Sequence, residues 1–229
     1  MSVKKFAIFD IDGTIFRSSL LIEITEVLII EGIFPKKVRN IYTKAYENWS
    51  NRKGSYEKYI DAVVYAFMQN IKGVKYSDFI KIAKKVIDSH QNRVYRYTSE
   101  LVKDLKKKKY YLLAISNSPK VVVEEFCKKW GFNKAYGRVY ELDKKGKFTG
   151  KIMHKELISD KAKILNRAIE KEHLTLTDSV GVGDSESDIA FLKLVKTPIC
   201  FNPNNKLYQH AKLAKWKIIV ERKDVVYHL

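Results

Sequence analysis

The chain has 229 residues, 45% hydrophobic and 31% charged, with a formal net charge of +18. This composition supports a sizeable core in one large domain, or one domain with an insertion, and excludes global disorder. Only four Pro and ten Gly are present, which excludes a long flexible linker.

Residues 3–9 form a short, bounded apolar run, as a buried parallel strand does. From about Ser18 to about His90 no such run recurs. Four helical patterns stand there instead, at 19–31, 36–51, 55–70 and 77–89, separated by "GIFP", "RKGS" and "KGV". The first is the most hydrophobic stretch of the chain. Glu23, Glu26 and Glu31 break it short of the roughly 20 apolar residues a membrane span needs. Further strands are expected at 110–116, 179–183, 198–201 and 217–220. Helices at 99–108, 121–130, 161–170, 188–195 and 206–215 separate them. This alternation predicts an α/β fold with a parallel sheet, carrying a helical domain inserted after the first strand. Such an insert sits over the carboxyl ends of the strands, where open α/β sheets bind ligands. Residues 138–152 alternate around Lys145-Gly146, the pattern of a β-hairpin.

The chemistry gathers at the strand ends. The stretch "FAIFDIDGTIF" closes the first strand with Asp10 and Asp12, and Gly13 permits the turn that follows. "GVGDSESD" repeats the plan with Asp184 and, one helical turn later, Asp188. Parallel strands bring their ends to one edge, so Asp10, Asp12 and Asp184 converge across the sequence. Converged carboxylates repel and hold protons unless a cation joins them, and hard oxygen ligands suit Mg²⁺. Ser116 and Asn117 end the second strand ahead of a helix, a cradle for an anion. Lys161 opens another helix and offers a point charge. Singly, each of these residues fits an ordinary cap or helix start. Together they occur in order at four strand ends.

Asp10-Ile11-Asp12-Gly13-Thr14, Ser116, Lys161, then Gly183-Asp184 and Asp188 resemble the four-motif signature of the haloacid dehalogenase superfamily of hydrolases. The hairpin and "ISNSP" resemble its phosphoserine-phosphatase-like branch, and the helical insert resembles its C1 cap class. The resemblance implies a Rossmann-like core (1–17 and 95–229) and a small helical cap (18–94). It implies a Mg²⁺-dependent phosphatase of small phosphorylated metabolites. Asp10 is then the nucleophile and Asp12 the proton carrier. The metal lies on the Asp10 and Asp184 carboxylates and the Asp12 carbonyl, with Asp188 behind them. Gly13, Thr14, Ser116, Asn117 and Lys161 hold the phosphoryl oxygens. Asp12 separates the chain from true dehalogenases, which lack that second acid.

The pattern departs from phosphoserine phosphatases in two places. Ser19 stands where they carry a Glu, with Glu23 the nearest acid, and Ser116-Asn117-Ser118 replaces Ser-Gly-Gly. Arg17 and Arg52 are candidates for reading a second anionic group. An alcohol acceptor in place of water would make the same site a phosphotransferase or mutase. Lys is spread through the chain rather than clustered on one face, so a nucleic-acid binder on a degenerate hydrolase fold is the weaker reading. The lysines of "KKKKY" (106–110) suit a helix carboxyl end. The insert's aromatics, Tyr42, Tyr46, Trp49, Tyr56, Tyr59, Tyr65 and Phe67, are expected mostly in its core. Cys127 and Cys200, outside any ligand cluster, are expected as core hydrophobes of a cytoplasmic protein.

Overall fold

The computed structural model describes residues 3–158 and 160–229. In β1 (Lys4–Phe9) the last four residues are all buried, because both faces of the strand are covered. Phe6 and Ile8 point to one face of the sheet, Ala7 and Phe9 to the other, and they enter two separate apolar clusters.

Four helices follow: α1 (Leu20–Ile30), α2 (Thr43–Ser50), α3 (Tyr56–Ile71) and α4 (Tyr76–His90). The single helix expected over 36–51 is split into a 3-10 helix, Lys36–Ile41, and α2, with Tyr42 (φ −118°) capping the end of the first and the start of the second. The insert enters and leaves through paired backbone. Arg17 donates to the Arg93 carbonyl at 2.9 Å, and Tyr95 to that of Ile15 at 3.0 Å.

Next come α5 (Arg96–Lys107), β2 (Tyr111–Pro119), α6 (Lys120–Trp130), β3 (Lys134–Leu142) and β4 (Phe148–Met153). The chain continues with α7 (Lys155–Ile158), α8 (Lys161–Glu172), β5 (Leu174–Gly183), α9 (Ile189–Leu192) and β6 (Thr197–Phe201). It ends with α10 (Asn205–Ala214), β7 (Lys217–Arg222) and β8 (Val225–His228). The sheet order is β4-β3-β2-β1-β5-β6-β7-β8. The six central strands are parallel, and β4 and β8 close the edges antiparallel.

Further details differ from the sequence expectation: β5 begins at Leu174, and β8 was not expected. β2 runs on through Pro119. The first strand of the hairpin is itself a strand of the main sheet, paired parallel to β2. The helix expected over 188–195 is a 3-10 turn, Glu186–Asp188, and the short α9, because Asp188 and Ser185 form a capping box there.

One apolar cluster covers a whole face of the sheet and runs without a break into the insert. It joins Phe9 and Phe126 to Ile24, Phe67 and Phe79. The second packs α8, α9 and α10 on the opposite face. Cys127 and Cys200 are buried and free. The insert's aromatics divide, contrary to expectation. Tyr42, Tyr59 and Phe67 are buried; Tyr46 and Trp49 are exposed because α2 buries none of its residues, and Tyr56 and Tyr65 lie on the exposed face of α3.

Candidate active site

Asp10 follows β1, its N–H donating to the Val182 carbonyl of β5 at 2.9 Å. That bond sets it beside Asp184, which follows β5. Lys161, the first residue of α8, reaches between the motifs. Its Nζ lies 2.6 Å from Asp10 Oδ1 and also bonds Asp188 Oδ1. Lys161 is 3% exposed and Asp188 0%, so these charges interact at low dielectric. An ammonium has three donors, so one is left for a ligand. The other oxygen of Asp188 accepts from the N–H groups of Asp184 (3.0 Å) and Ser185 (3.1 Å) and from the Ser185 hydroxyl. Asp188 therefore holds both Lys161 and the loop of Asp184 in place.

Two glycines make room for this packing. Gly13 has φ +81°, and a Cβ on it would stand 2.2 Å from Asp184 Oδ2. A Cβ on Gly183 would meet the Asp188 side chain at 2.6 Å.

Carboxylate oxygens of Asp10, Asp184 and Asp188 lie within 4.8 Å of one another. One ammonium faces three carboxylates, so negative charge is in excess. Burial, reinforced by the neighbouring acids, holds Asp10 and Asp184 above the usual carboxylate range. Lys161 stays charged, its pKa raised by Asp10 and Asp188 against the opposing effect of burial. Both Asp188 oxygens are engaged, one by Lys161 and the other by backbone and hydroxyl donors, which leaves Asp184 and the second oxygen of Asp10 as the free hard donors among the described residues. The Asp12 carbonyl also accepts no hydrogen bond among the described residues. This oxygen set fits a small divalent cation.

Asp12 turns toward β2. Its carboxylate accepts from the Leu20 N–H at 2.5 Å, from the Ser116 hydroxyl, and from the Ser118 hydroxyl at 2.9 Å. Burial raises its pKa although these donors oppose the shift.

Several of the expected residues have partners within the protein. The Ser116 hydroxyl has a single proton and donates it to Asp12, so in this arrangement it has none for a phosphoryl oxygen. The Gly13 N–H donates to the carbonyls of Phe16 and Ser18, and the Thr14 N–H to that of Ile11. Within residues 10–14, the N–H groups without a partner among the described residues are those of Ile11 and Asp12. The Thr14 hydroxyl is buried without a partner among the described residues, and Thr98 ties the loop instead by donating to the Thr14 carbonyl at 2.9 Å.

The site opens into a cavity of about 550 Å³. Ser19 and Asn117 line it, but Glu23, Arg17 and Arg52 do not. Glu23 bonds Arg93 at 2.8 Å beside His90, Arg17 lies over the Tyr95 ring, and Arg52 is exposed on the turn after α2. The sequence reading missed Arg138 and assigned no role to Ser118 or Tyr56, all of which line the cavity. Ser118 had a signal, since it lies two residues from Ser116 on one strand and faces the same way.

The family model of haloacid dehalogenase-like hydrolases matches residues 7–193. The phosphoserine phosphatase of Methanocaldococcus jannaschii is 25% identical over 224 residues, spanning 97% of this chain and 94% of that protein. A crystal structure of a protein with unknown function from Bordetella pertussis superposes with a TM-score of 0.76 at 16% identity, covering 95% of this chain and 98% of that one. A substrate-bound phosphoserine phosphatase superposes with a TM-score of 0.63 at 22% identity, covering 98% and 96%. These two structural likenesses establish a shared fold.

Proposed function

The chain belongs to the haloacid dehalogenase-like hydrolase family, and from that membership we propose that it hydrolyses small phosphate monoesters with Mg²⁺, through an aspartyl-phosphate on Asp10. The observation that carries the reading is the cluster of buried Asp10, Asp188 and Lys161 with half-buried Asp184, its carboxylate oxygens within 4.8 Å. Asp10 and Asp184, with the Asp12 carbonyl, would hold the cation. When bound, Mg²⁺ neutralises excess charge so that an anionic nucleophile and a phosphate dianion can meet.

The Asp10 carboxylate attacks phosphorus, and the bond to the leaving oxygen breaks. Asp12 gives that oxygen its proton. A water, deprotonated by Asp12, then attacks the same phosphorus and releases phosphate and free Asp10. The third donor of Lys161 and the N–H groups of Ile11 and Asp12 are placed to receive phosphoryl oxygens. Ser116 and Ser118 orient Asp12, and Asp188 orients Lys161. Residues 18–94 act as the cap over this chemistry, excluding water. Two buried free cysteines support a reducing, cytoplasmic setting.

The test is phosphate release from a simple aryl phosphate. Turnover that requires Mg²⁺ and stops on chelation is expected. Absence of turnover with Mg²⁺ in the folded protein overturns the reading.

A further inference from the structure

Three cations line the cavity. Lys161 is bound to Asp10 and Asp188. Lys206 is bound to Glu186 at 2.8 Å, with Glu57 at 3.7 Å. The third, Arg138, is half-buried and has no acidic partner and no hydrogen bond from its side chain among the described residues. Arg138 also forms part of the wall of a neighbouring cavity of about 440 Å³. The other cation there, Lys120, pairs with Glu124 at 3.4 Å. From either side, then, Arg138 is the cation without a counter-ion. A guanidinium partly removed from water with nothing to compensate it is unfavourable. Its planar fork matches a carboxylate or a phosphate.

Its position separates it from the reacting phosphorus. Arg138 sits opposite Pro119 in the β2–β3 register. Gly137 fixes it there, because a Cβ on that residue would meet Lys120 Cα at 2.7 Å and the Ser118 carbonyl at 2.9 Å. β3 lies two strands from β1, about 10 Å at the usual strand spacing. The phosphoryl group belongs at the β1–β5 end, with Asp10 and Lys161. The lining also includes the apolar side chains of Leu21, Ile60 and Val64, beside the polar Asn117 and Ser118 of the intervening strand β2. Ser19 offers no charge there, since its hydroxyl caps α1 by accepting from the Leu21 N–H.

We propose that Arg138 is the specificity-determining residue of this site, and that it receives a second anionic group carried by the leaving portion of the substrate. The substrate class is a phosphate monoester with an apolar body and a distal anion, and without an ammonium group held at Ser19. This assignment rests on the phosphatase reading above and replaces Arg17 and Arg52 in the role expected of them.

The experiment compares phenyl phosphate with 4-carboxyphenyl phosphate, and adds a phenylene bisphosphate to separate carboxylate from phosphate as the distal anion. The wild-type protein is expected to favour at least one of the two anionic substrates by about tenfold or more in kcat/KM, mostly through KM. Arg138→Gln is expected to bring that ratio close to one, and Arg138→Lys, a point charge without the fork, to an intermediate value. A wild-type ratio near one for both anionic substrates overturns the proposal. So does an Arg138→Gln variant that slows all substrates by the same factor, since Arg138 would then hold the phosphoryl group. Thermal melting checks the fold of each variant. If the Gln variant does not fold, a Lys variant as selective as the wild type overturns the assignment. Failure of the wild type to turn over any of the three substrates with Mg²⁺ overturns the phosphatase reading instead.

Discussion

At the floor of the cavity, Asp10, Lys161 and Asp188 are closed off from solvent and bonded to one another. At its mouth, Tyr56 is 39% exposed, and Lys206 joins Glu57 of α3 to Glu186 of the core in open water. The same Coulomb attraction works in both places at very different strengths, because solvent screens the second and not the first. The floor therefore depends on Lys161, the cation that balances its carboxylates. The mouth holds charges that steer and fasten.

The comparison breaks most sharply at the floor. Asp10→Asn is expected to lose activity by about 10³-fold or more, yet to keep or gain stability, since it removes a carboxylate that burial disfavours. Lys161→Ala is expected to lose activity and also roughly 3–5 kcal/mol of stability, because it leaves buried carboxylates unpaired. Phosphate release and urea unfolding measure both effects, and equal stability of the two variants would contradict the contrast. Gly13→Ala comes next. The added Cβ displaces the Asp184 carboxylate, so Mg²⁺ affinity is expected to weaken by about tenfold or more, as for other disturbances around metal ligands. The Mg²⁺ dependence of turnover reads this directly.

The pH dependence of stability is a smaller effect. An ordinary Asp titrates near 3.8, whereas metal-free Asp10 keeps its proton up to about 8. Between those values the folded protein binds more protons than the unfolded chain, so stability falls as pH rises. Mg²⁺ binds the deprotonated form and opposes that fall. The gain in melting temperature from Mg²⁺ is expected to grow from about pH 5 to about pH 8, and a gain that shrinks over that range would refute the charge assignment. The smallest effect belongs to the mouth. Lys206→Ala is expected to change KM by less than about threefold, and the change should vanish in high salt. A salt-insensitive loss as large as that of Lys161→Ala would erase the distinction between the two regions.

Much of the floor was legible in the sequence. Asp10, Asp12, Asp184 and Asp188 each follow a strand, and parallel strands deliver their ends to one edge whatever lies between them. The wall was not legible. Arg138 reaches the cavity only because β3 pairs in parallel with β2, a long-range choice that its alternating pattern does not reveal. Glu23 and Arg17 are near the first motif in sequence, but Arg93 and Tyr95, at the far end of the insert, hold them elsewhere. The bond from the Ser116 hydroxyl to Asp12 was not legible because the two residues lie 104 apart in the chain. β8 escaped notice because a four-residue edge strand carries little pattern of its own.

The stitching of the insert bears on how this protein could be re-engineered. The loop after α3 bonds to the hairpin, with Gly73 donating to the Phe148 carbonyl at 2.8 Å and Phe148 to that of Val74 at 3.0 Å. Phe67 and Phe79 of the insert meet Phe148 and Tyr140 edge to face or tilted. Helices 18–94 are thus no detachable cassette. Grafting another protein's insert onto this sheet would leave the Phe9 and Phe126 face bare and the hairpin without its mate. New selectivity has to be introduced one side chain at a time, along the wall from Ser19 to Arg138.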